Sequence, residues 1–298
     1  MNGIEELHAS HDVNLPQEVD AAQQQWHMWH ERRLEELRAP HGYLACASIT
    51  WLSDGQEAVV EGVPGIWKAQ GDTLVYVPER SAAVQVRNAG RTVEAPVAFR
   101  ATAFGEEALG YFIVGDLRVE INAQSDAKKR DMHHFWIRVK DPNMPSRAQF
   151  TDVPAFPYDA RWRIPARFRR AENDELDIHD SVVTTVLQSY PALGVVEFAY
   201  GGKEYSLVVC DVFGHVTVFF SDETSGLSTY GIGRVLHLDP LHLDEMKEID
   251  FNYAFNYPCA FSPYCTCPIP SARNRLDFAV EAGEKTPDNA AIYSSIGE

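Results

Sequence analysis

The sequence predicts a mostly-β protein, β-sandwich-like or barrel-like, with one N-terminal amphipathic helix ahead of the sheets. Three observations lead there. Apolar residues recur at helical spacing near the N-terminus, short runs of period near two follow from Tyr43, and glycine-rich turn pairs divide those runs. Side chains alternate across a strand but recur every three or four residues on a helix, so the change of period marks the change of structure.

The helix is expected over residues 16–38. Val19, Ala22, Trp26, Trp29 and Leu37 recur along it, while Arg32, Arg33, Glu35 and Glu36 crowd its far end. Pro16 suits a first turn, where no amide donor is needed, and Pro40 with Gly42 stops the element. A lone amphipathic helix of this length is marginal in water, so the Trp26 and Trp29 face should lie on the β core. His27 and His30 are three apart on this helix, have no cysteine companion there and read as surface histidines.

Strands are expected at residues 43–51, 73–77, 82–86, 97–103, 109–114, 118–123 and 134–139. Turns at Asp54-Gly55, Gly71-Asp72 and Gly115-Asp116 separate several of them. Pro142, Pro145, Pro154 and Pro157 then crowd one segment; proline has no ladder donor, so this reads as a connection between two β regions. Strands resume at 161–169, 181–187, 195–200, 204–210, 215–220 and 230–236, with Gly201-Gly202 as a two-residue hairpin. The tail from Asp250 is rich in Pro, Asn and Cys and reads as an ordered wrap, with a short helix near 274–282. The organisation is thus 1–42 helical, 43–140 a first β region, 141–160 a connection and 161–298 a second β region. Residues 43–298 also read as one compact unit.

The 33.5 kDa chain of 298 residues is 45% hydrophobic and 23% charged, which excludes a disordered chain and supplies a sizeable core. No apolar run approaches the roughly 18 residues of a membrane helix. Against 26 Lys and Arg stand 43 Asp and Glu, a net charge of -17 that repels phosphate backbones and anionic lipid. Neither nucleic acid nor membrane is an expected partner. The first residues are polar and acidic and read as no export signal. The five cysteines lack disulfide-framework spacing, so a cytoplasmic protein with reduced thiols is expected.

Three stretches carry chemistry. In 161–169 Arg161, Arg163, Arg167 and Arg169 alternate with Trp162, Ile164, Ala166 and Phe168, which puts four guanidinium groups on one strand face. Such a face clamps an anion or, as the abundance of carboxylates favours, forms a solvated edge paired with acids. The stretch 219–234 is denser in polar groups. Asp222, Tyr230 and Arg234 lie within thirteen residues, and Tyr230, Ile232 and Arg234 alternate with Gly231 and Gly233, so their side chains should share a strand face. The alternative is an Asp-capped hairpin in which Arg234 pairs with Asp222. In the tail, Cys259, Cys265 and Cys267 are spaced unlike a zinc ribbon and have no histidine nearby, so no metal or other cofactor is expected. His133, His134, His215 and His237 are strand-associated and are general bases in principle.

The hairpin and the tail resemble the uncharacterised family catalogued as domain of unknown function 1684. The residues that carry the likeness are 220–234, with its Thr-Ser-Gly and Tyr-Gly-x-Gly-Arg, and 250–260, with its Asp-Phe-Asn-x-Ala-x-Asn and Pro-Cys-Ala. To these add 267–270, Asn274-Arg275-Leu276 and 282–285. Trp26, the strand after Gly42 and 161–168 fit more loosely. Ser228 stands where the family usually carries Glu, Tyr257 replaces a common Pro, and Cys265 is additional, so Cys259 and Cys267 are the pair the resemblance implies. The absent acid argues against a two-carboxylate mechanism. The resemblance implies no established activity.

The leading expectation is a small-molecule site at the hairpin and tail, as in a cofactor-independent acid/base or hydrolytic enzyme. Asp222, Tyr230 and Arg234 would be its catalytic candidates, with Arg234 holding an anionic group. Asn252, Asn256, Cys259, Asn274 and Arg275 would be ligand-binding. Two alternatives stand beside it: a non-catalytic module in which the same polar set is a buried network, and a thiolate metal protein built on Cys259, Cys265 and Cys267. A homo-oligomer is compatible with each.

Overall fold

The protein, seen in a computed structural model, is described over residues 15–79, 85–102, 104–126, 128–129 and 132–288. Helix α1 (Leu15–Arg38) comes first. Ten strands follow: β1 (Cys46–Leu52), β2 (Glu57–Val60), β3 (Val63–Gln70), β4 (Thr73–Pro78), β5 (Val86–Asn88), β6 (Arg91–Thr92), β7 (Val97–Arg100), β8 (Glu106–Val114), β9 (Leu117–Ser125) and β10 (His133–Lys140). They form two antiparallel sheets, ordered β1-β10-β9-β8-β5-β6 and β2-β3-β4-β7. Leu52, Phe112, Ile121 and Phe135 from the first sheet share one core with Trp67, Leu74 and Tyr76 from the second, the arrangement of a β-sandwich.

The proline-rich connection holds only the short helix α2 (Pro145–Gln149). Beyond it come β11 (Arg163–Asp180), β12 (Leu187–Tyr200), β13 (Lys203–Val212), β14 (His215–Phe220), β15 (Arg234–His237), β16 (Glu248–Asp250) and β17 (Phe255–Asn256). These make one seven-stranded sheet, β16-β11-β12-β13-β14-β15-β17, curled into a half-barrel. Alternation along its strands gives two apolar faces. Val196, Phe198, Leu207, Val218, Phe220 and Leu236 pack on Phe251, Leu276 and Val280 of the tail. Tyr190, Val195, Val208, Phe219 and Val235 on the other face meet Tyr257, Cys265 and Cys267, so the tail covers the sheet on both sides.

The helix lies where its tryptophans predict. Trp26 is 6% exposed, and its indole donates to the Asn252 carbonyl at 2.7 Å. Trp29 meets Tyr253 edge-on, and Leu34 and Leu37 pack with Leu44, Phe150 and Phe261. The surface placing of the two histidines holds for His27, which is exposed. His30 is mostly covered and stacks on Trp26.

Several elements differ from the sequence reading. The expected strand at 181–187 is a turn, and β11 instead runs to Asp180, paired with β12 across a bulge between Arg170 and Glu175. The acidic run 172–180 hides this strand, because Asp177 and His179 are buried while Leu176 and Ile178 are exposed, the reverse of the usual apolar-in alternation. The strands at 57–60 and 63–70 were also hidden, by their mixed polarity. The strand expected at 230–236 begins only at Arg234. Gly233 has φ of 112°, its amide returns to the Tyr230 carbonyl at 2.9 Å, and any side chain there would collide with the Phe220 carbonyl. The helix expected near 274–282 is a single 3-10 turn, Ala272–Asn274. Part of the strand expected at 82–86, and the first fourteen residues, lie outside the described residues.

Candidate functional site

The arginine-bearing start of β11 resolves simply. Arg161 pairs with Asp159 at 2.6 Å, Arg163 with Glu248 at 2.6 Å, and both Arg167 and Arg169 with Glu197 at 2.9 Å. These are exposed edge pairs, as the excess of acids favours.

Arg234 and Asp222 meet, but as partners of each other. Arg234 opens β15 opposite Phe220 and has no solvent exposure. Its guanidinium donates to Asp222 Oδ2 at 2.8 Å, to the Val280 carbonyl at 2.8 Å and to the Ala282 carbonyl. The second Asp222 oxygen accepts from the Thr224 hydroxyl at 2.6 Å, the Thr224 amide at 2.8 Å and the Val280 amide at 3.1 Å. Burial pulls the Arg234 pKa below its ordinary value, and Asp222 opposes this. The expectation that Arg234 holds a ligand in a cavity is therefore corrected: its Nη groups bind the tail to the hairpin, and its Nε is buried without a partner.

Tyr230 lies before β15, so it does not share a strand face with Arg234. Its hydroxyl donates to the Cys259 carbonyl at 3.0 Å, and burial raises its pKa, which makes it a poor base. The asparagines serve the backbone. Asn252 bonds the Asp159 amide at 3.0 Å and carbonyl at 2.9 Å. Asn256 donates to the Lys285 carbonyl at 2.8 Å. Asn274 clamps two strands, accepting from the Val208 amide at 2.7 Å and donating to the carbonyls of Val208 at 3.0 Å and Phe219 at 2.8 Å. Arg275 is exposed. Cys259 is half-buried, with its amide 3.3 Å from Cys267 Sγ. The polar residues that the sequence singles out thus tie turns and tail to the half-barrel.

A cavity of ≈ 570 Å³ opens elsewhere, on the other face of the half-barrel. Thr217, Phe219, Val235 and His237 of β14 and β15 form one wall; Arg33 of α1, Tyr43, Arg138 of β10 and Cys265 of the tail contribute others. The site therefore gathers residues from the helix, the sandwich, the half-barrel and the tail. Arg138 is 6% exposed and stands over the Trp136 ring at 4.4 Å, with Nε donating to the Tyr264 carbonyl at 2.7 Å. Arg118, Arg138 and Lys140 share the carboxylate of Glu120, at 3.3, 3.5 and 3.0 Å; of these four Arg138 alone lines the cavity, together with Glu36 and Glu106.

Histidines His215 and His237 stack with ring centroids 5.1 Å apart. Burial, then the charges of His215 and Arg33, push the His237 pKa down to about 4. Glu106 accepts from Gln188 at 2.9 Å and Thr266 at 3.2 Å, and its enclosure pushes its carboxyl above the usual range. Tyr190, also lining the cavity, is raised well above its ordinary value by burial.

Four free thiols form a hydrogen-bonded row in which Cys265 interacts with Cys46 and Cys267, and Cys267 with Cys259. Burial alone would raise the Cys265 pKa. Hydrogen bonds from Cys267 and Cys46 and the charges of Arg138 and Lys140 outweigh it and hold this thiol well below its usual range. Sequence reasoning named Cys265 for its spacing alone. Arg33, Arg138 and Tyr190 were missed, because nothing local in the sequence signals a wall built from segments so far apart.

No curated protein matches this chain. Among solved structures, the solution NMR structure of an uncharacterised protein from Haloarcula marismortui is similar. The two share 28% identity over 47% of this chain and 79% of that one, with a TM-score of 0.39. Among the described residues, no helix is long and apolar enough to cross a membrane. Residues 148–285, which include the Asp222–Arg234 hairpin and most of the tail, match the family model described as protein of unknown function (DUF1684).

Proposed function

We propose that the protein binds a small organic anion, a carboxylate above all, in the ≈ 570 Å³ cavity between the half-barrel, the helix and the cysteine tail. The observation that carries this reading is the buried Arg138 guanidinium on the cavity wall, with Arg33 of α1 contributing a second. A ligand anion entering there would pair with these cations in surroundings that screen charge poorly. Phe219, Val235, Phe255 and Tyr257 supply apolar walls of the kind that enclose an organic body. The five free thiols fit a reducing compartment such as the cytoplasm.

The lowered pKa of Cys265 favours a second reading on the same cavity, in which its thiolate adds to a carbonyl carbon of the bound molecule and the C=O π pair moves onto oxygen. Iodoacetamide labelling separates the two: the second reading requires Cys265 to alkylate fastest of the five thiols, and the bound anion to protect it.

The test of binding is a thermal-shift screen of mono- and dicarboxylates. A ligand at a hundredfold excess over its Kd contributes about 2.7 kcal/mol, enough to raise the melting temperature by several degrees. Stabilisation should vanish in Val212→Trp, which fills the cavity from a half-buried wall position, and weaken in Arg138→Lys, which loses the planar fork. If no acid stabilises the wild type, the binding function is refuted.

A further inference from the structure

Three side chains outside this cavity lining form a second constellation. Asp177 and His179 are two residues apart on β11 and so point to the same face; Cys210 lies on β13, two strands away. The β12 residue opposite Cys210 is Ala192, small enough for side chains of the outer strands to meet above it. All three are buried, at 8%, 2% and 1% exposure, and their ligand atoms lie within 4.8 Å of one another. His179 Nε2 is 3.1 Å from Asp177 Oδ2, and Cys210 Sγ is 3.7 Å from the same oxygen.

The histidine is set as a ligand. Its Nδ1 is 3.2 Å from the Ile269 carbonyl, which can only accept, so Nδ1 carries the proton. In the neutral ring Nε2 is then the lone-pair nitrogen, and it is buried with no hydrogen-bond partner. It faces the Asp177 carboxylate oxygen at 3.1 Å, so a cation belongs between them, either a proton on Nε2, which makes an ion pair, or a metal ion. A backbone carbonyl that fixes one ring nitrogen and frees the other is the usual outer support of a metal-bound histidine. Phe219 holds the ring further, edge-on at 5.5 Å.

We propose that Asp177, His179 and Cys210 bind a divalent transition-metal ion, zinc by the character of the set. One oxygen, one imidazole nitrogen and one thiolate are the ligand types zinc takes. Ligand bonds of 2.0–2.3 Å to a tetrahedral ion imply edges of about 3.3–3.7 Å between ligand atoms, close to the two separations seen. Cys210 loses its proton to solvent as the metal–sulfur bond forms, and no electrons change hands. Three protein ligands leave one position for water or another small ligand, as zinc sites that do chemistry do. The site stands apart from the tail thiols, for which spacing argued against a metal, and is independent of anion binding in the cavity.

Cobalt(II) is the probe, because its thiolate complexes absorb visibly. Full-length protein, stripped with a chelator, is titrated with cobalt chloride. One equivalent should bind with a thiolate charge-transfer band, and zinc should displace it. Cys210→Ser, nearly isosteric, should abolish the band. Asp177→Asn and His179→Gln should each weaken binding by at least about 100-fold, beyond the usual effect of an outer-shell change. Cys265→Ser should leave the band intact. Circular dichroism confirms that each variant is folded, and Cys210→Ser carries the test where another is not. Folded wild-type protein without a band at about 1 mM cobalt overturns the proposal, as does a band that survives Cys210→Ser or disappears in Cys265→Ser.

Discussion

Arg234 is charged, wholly buried and ringed by acceptors, so its value to the protein is best read from what its removal leaves behind. Replacing it by Met leaves Asp222 as a buried carboxylate without its cation; replacing Asp222 by Asn leaves the guanidinium without its anion. Each single change should cost about 3–5 kcal/mol in urea denaturation, and the double variant less than the sum, because the second change removes the charge stranded by the first. Single variants within about 0.5 kcal/mol of wild type would contradict the structural role given to this pair.

His237 makes a different prediction, through pH. Its pKa is about 4 in the folded protein against 6.5 ordinarily, with burial the first cause and His215 and Arg33 the others. Between these values the unfolded chain binds a proton that the folded chain does not, so stability falls as pH drops from 6.5 towards 4. The contribution is intact above 6.5. His237→Gln should flatten that limb of a melting-temperature profile; an unchanged slope would show that His237 titrates normally. An anion bound beside His237 would raise its pKa, so its affinity should increase over the same fall in pH.

At the scale of elements, α1 is attached through the tail and the edge strand β17, where Arg33 donates to the Asn256 carbonyl at 3.1 Å. Trp26→Phe keeps the ring but loses the bond to the Asn252 carbonyl and should cost about 1 kcal/mol. Trp26→Ala also removes the buried body and should cost about 3–5 kcal/mol by denaturant titration. Equal effects of the two would mean that the indole body contributes nothing.

The elements also show what a sequence reveals. Helix α1 was legible because Trp26, Trp29 and Leu37 repeat at its own period, and β13 and β14 because their apolar runs are covered on both faces. The second half of β11 was not, since Glu172, Glu175 and Asp177 interrupt any alternation while the strand is specified by its pairing with β12. Tyr230 and Arg234 were separated by one glycine, whose left-handed backbone ends the turn after the tyrosine. The pairing of Arg234 with Asp222 was legible as an alternative, since opposite charges flank a tight polar loop. Its complete burial was not, because the carbonyls of Val280 and Ala282 come from nearly fifty residues away.

For the whole molecule, the density of polar residues along the sequence and the location of open space are different things. Asp222, Thr224, Arg234, Asn252, Asn256 and Asn274 are buried and satisfied largely by one another and by backbone, and they close the tail around the half-barrel. A rigid wrap of that kind fixes the position of Cys265 and Tyr257, which, with Arg33 and Arg138, line the cavity. The hairpin therefore acts on the cavity by holding its walls, and the anion should contact the walls alone.

Amide chemical-shift mapping of deuterated protein, titrated with whichever carboxylate stabilises it most, tests that claim most directly. Shifts are expected at Thr217, Phe219, Val235, His237, Thr266 and Cys267, with residues 222–233 unmoved. Saturable shifts centred on Asp222, Tyr230 and Arg234 with the cavity walls silent would contradict it, and would return the binding site to the hairpin.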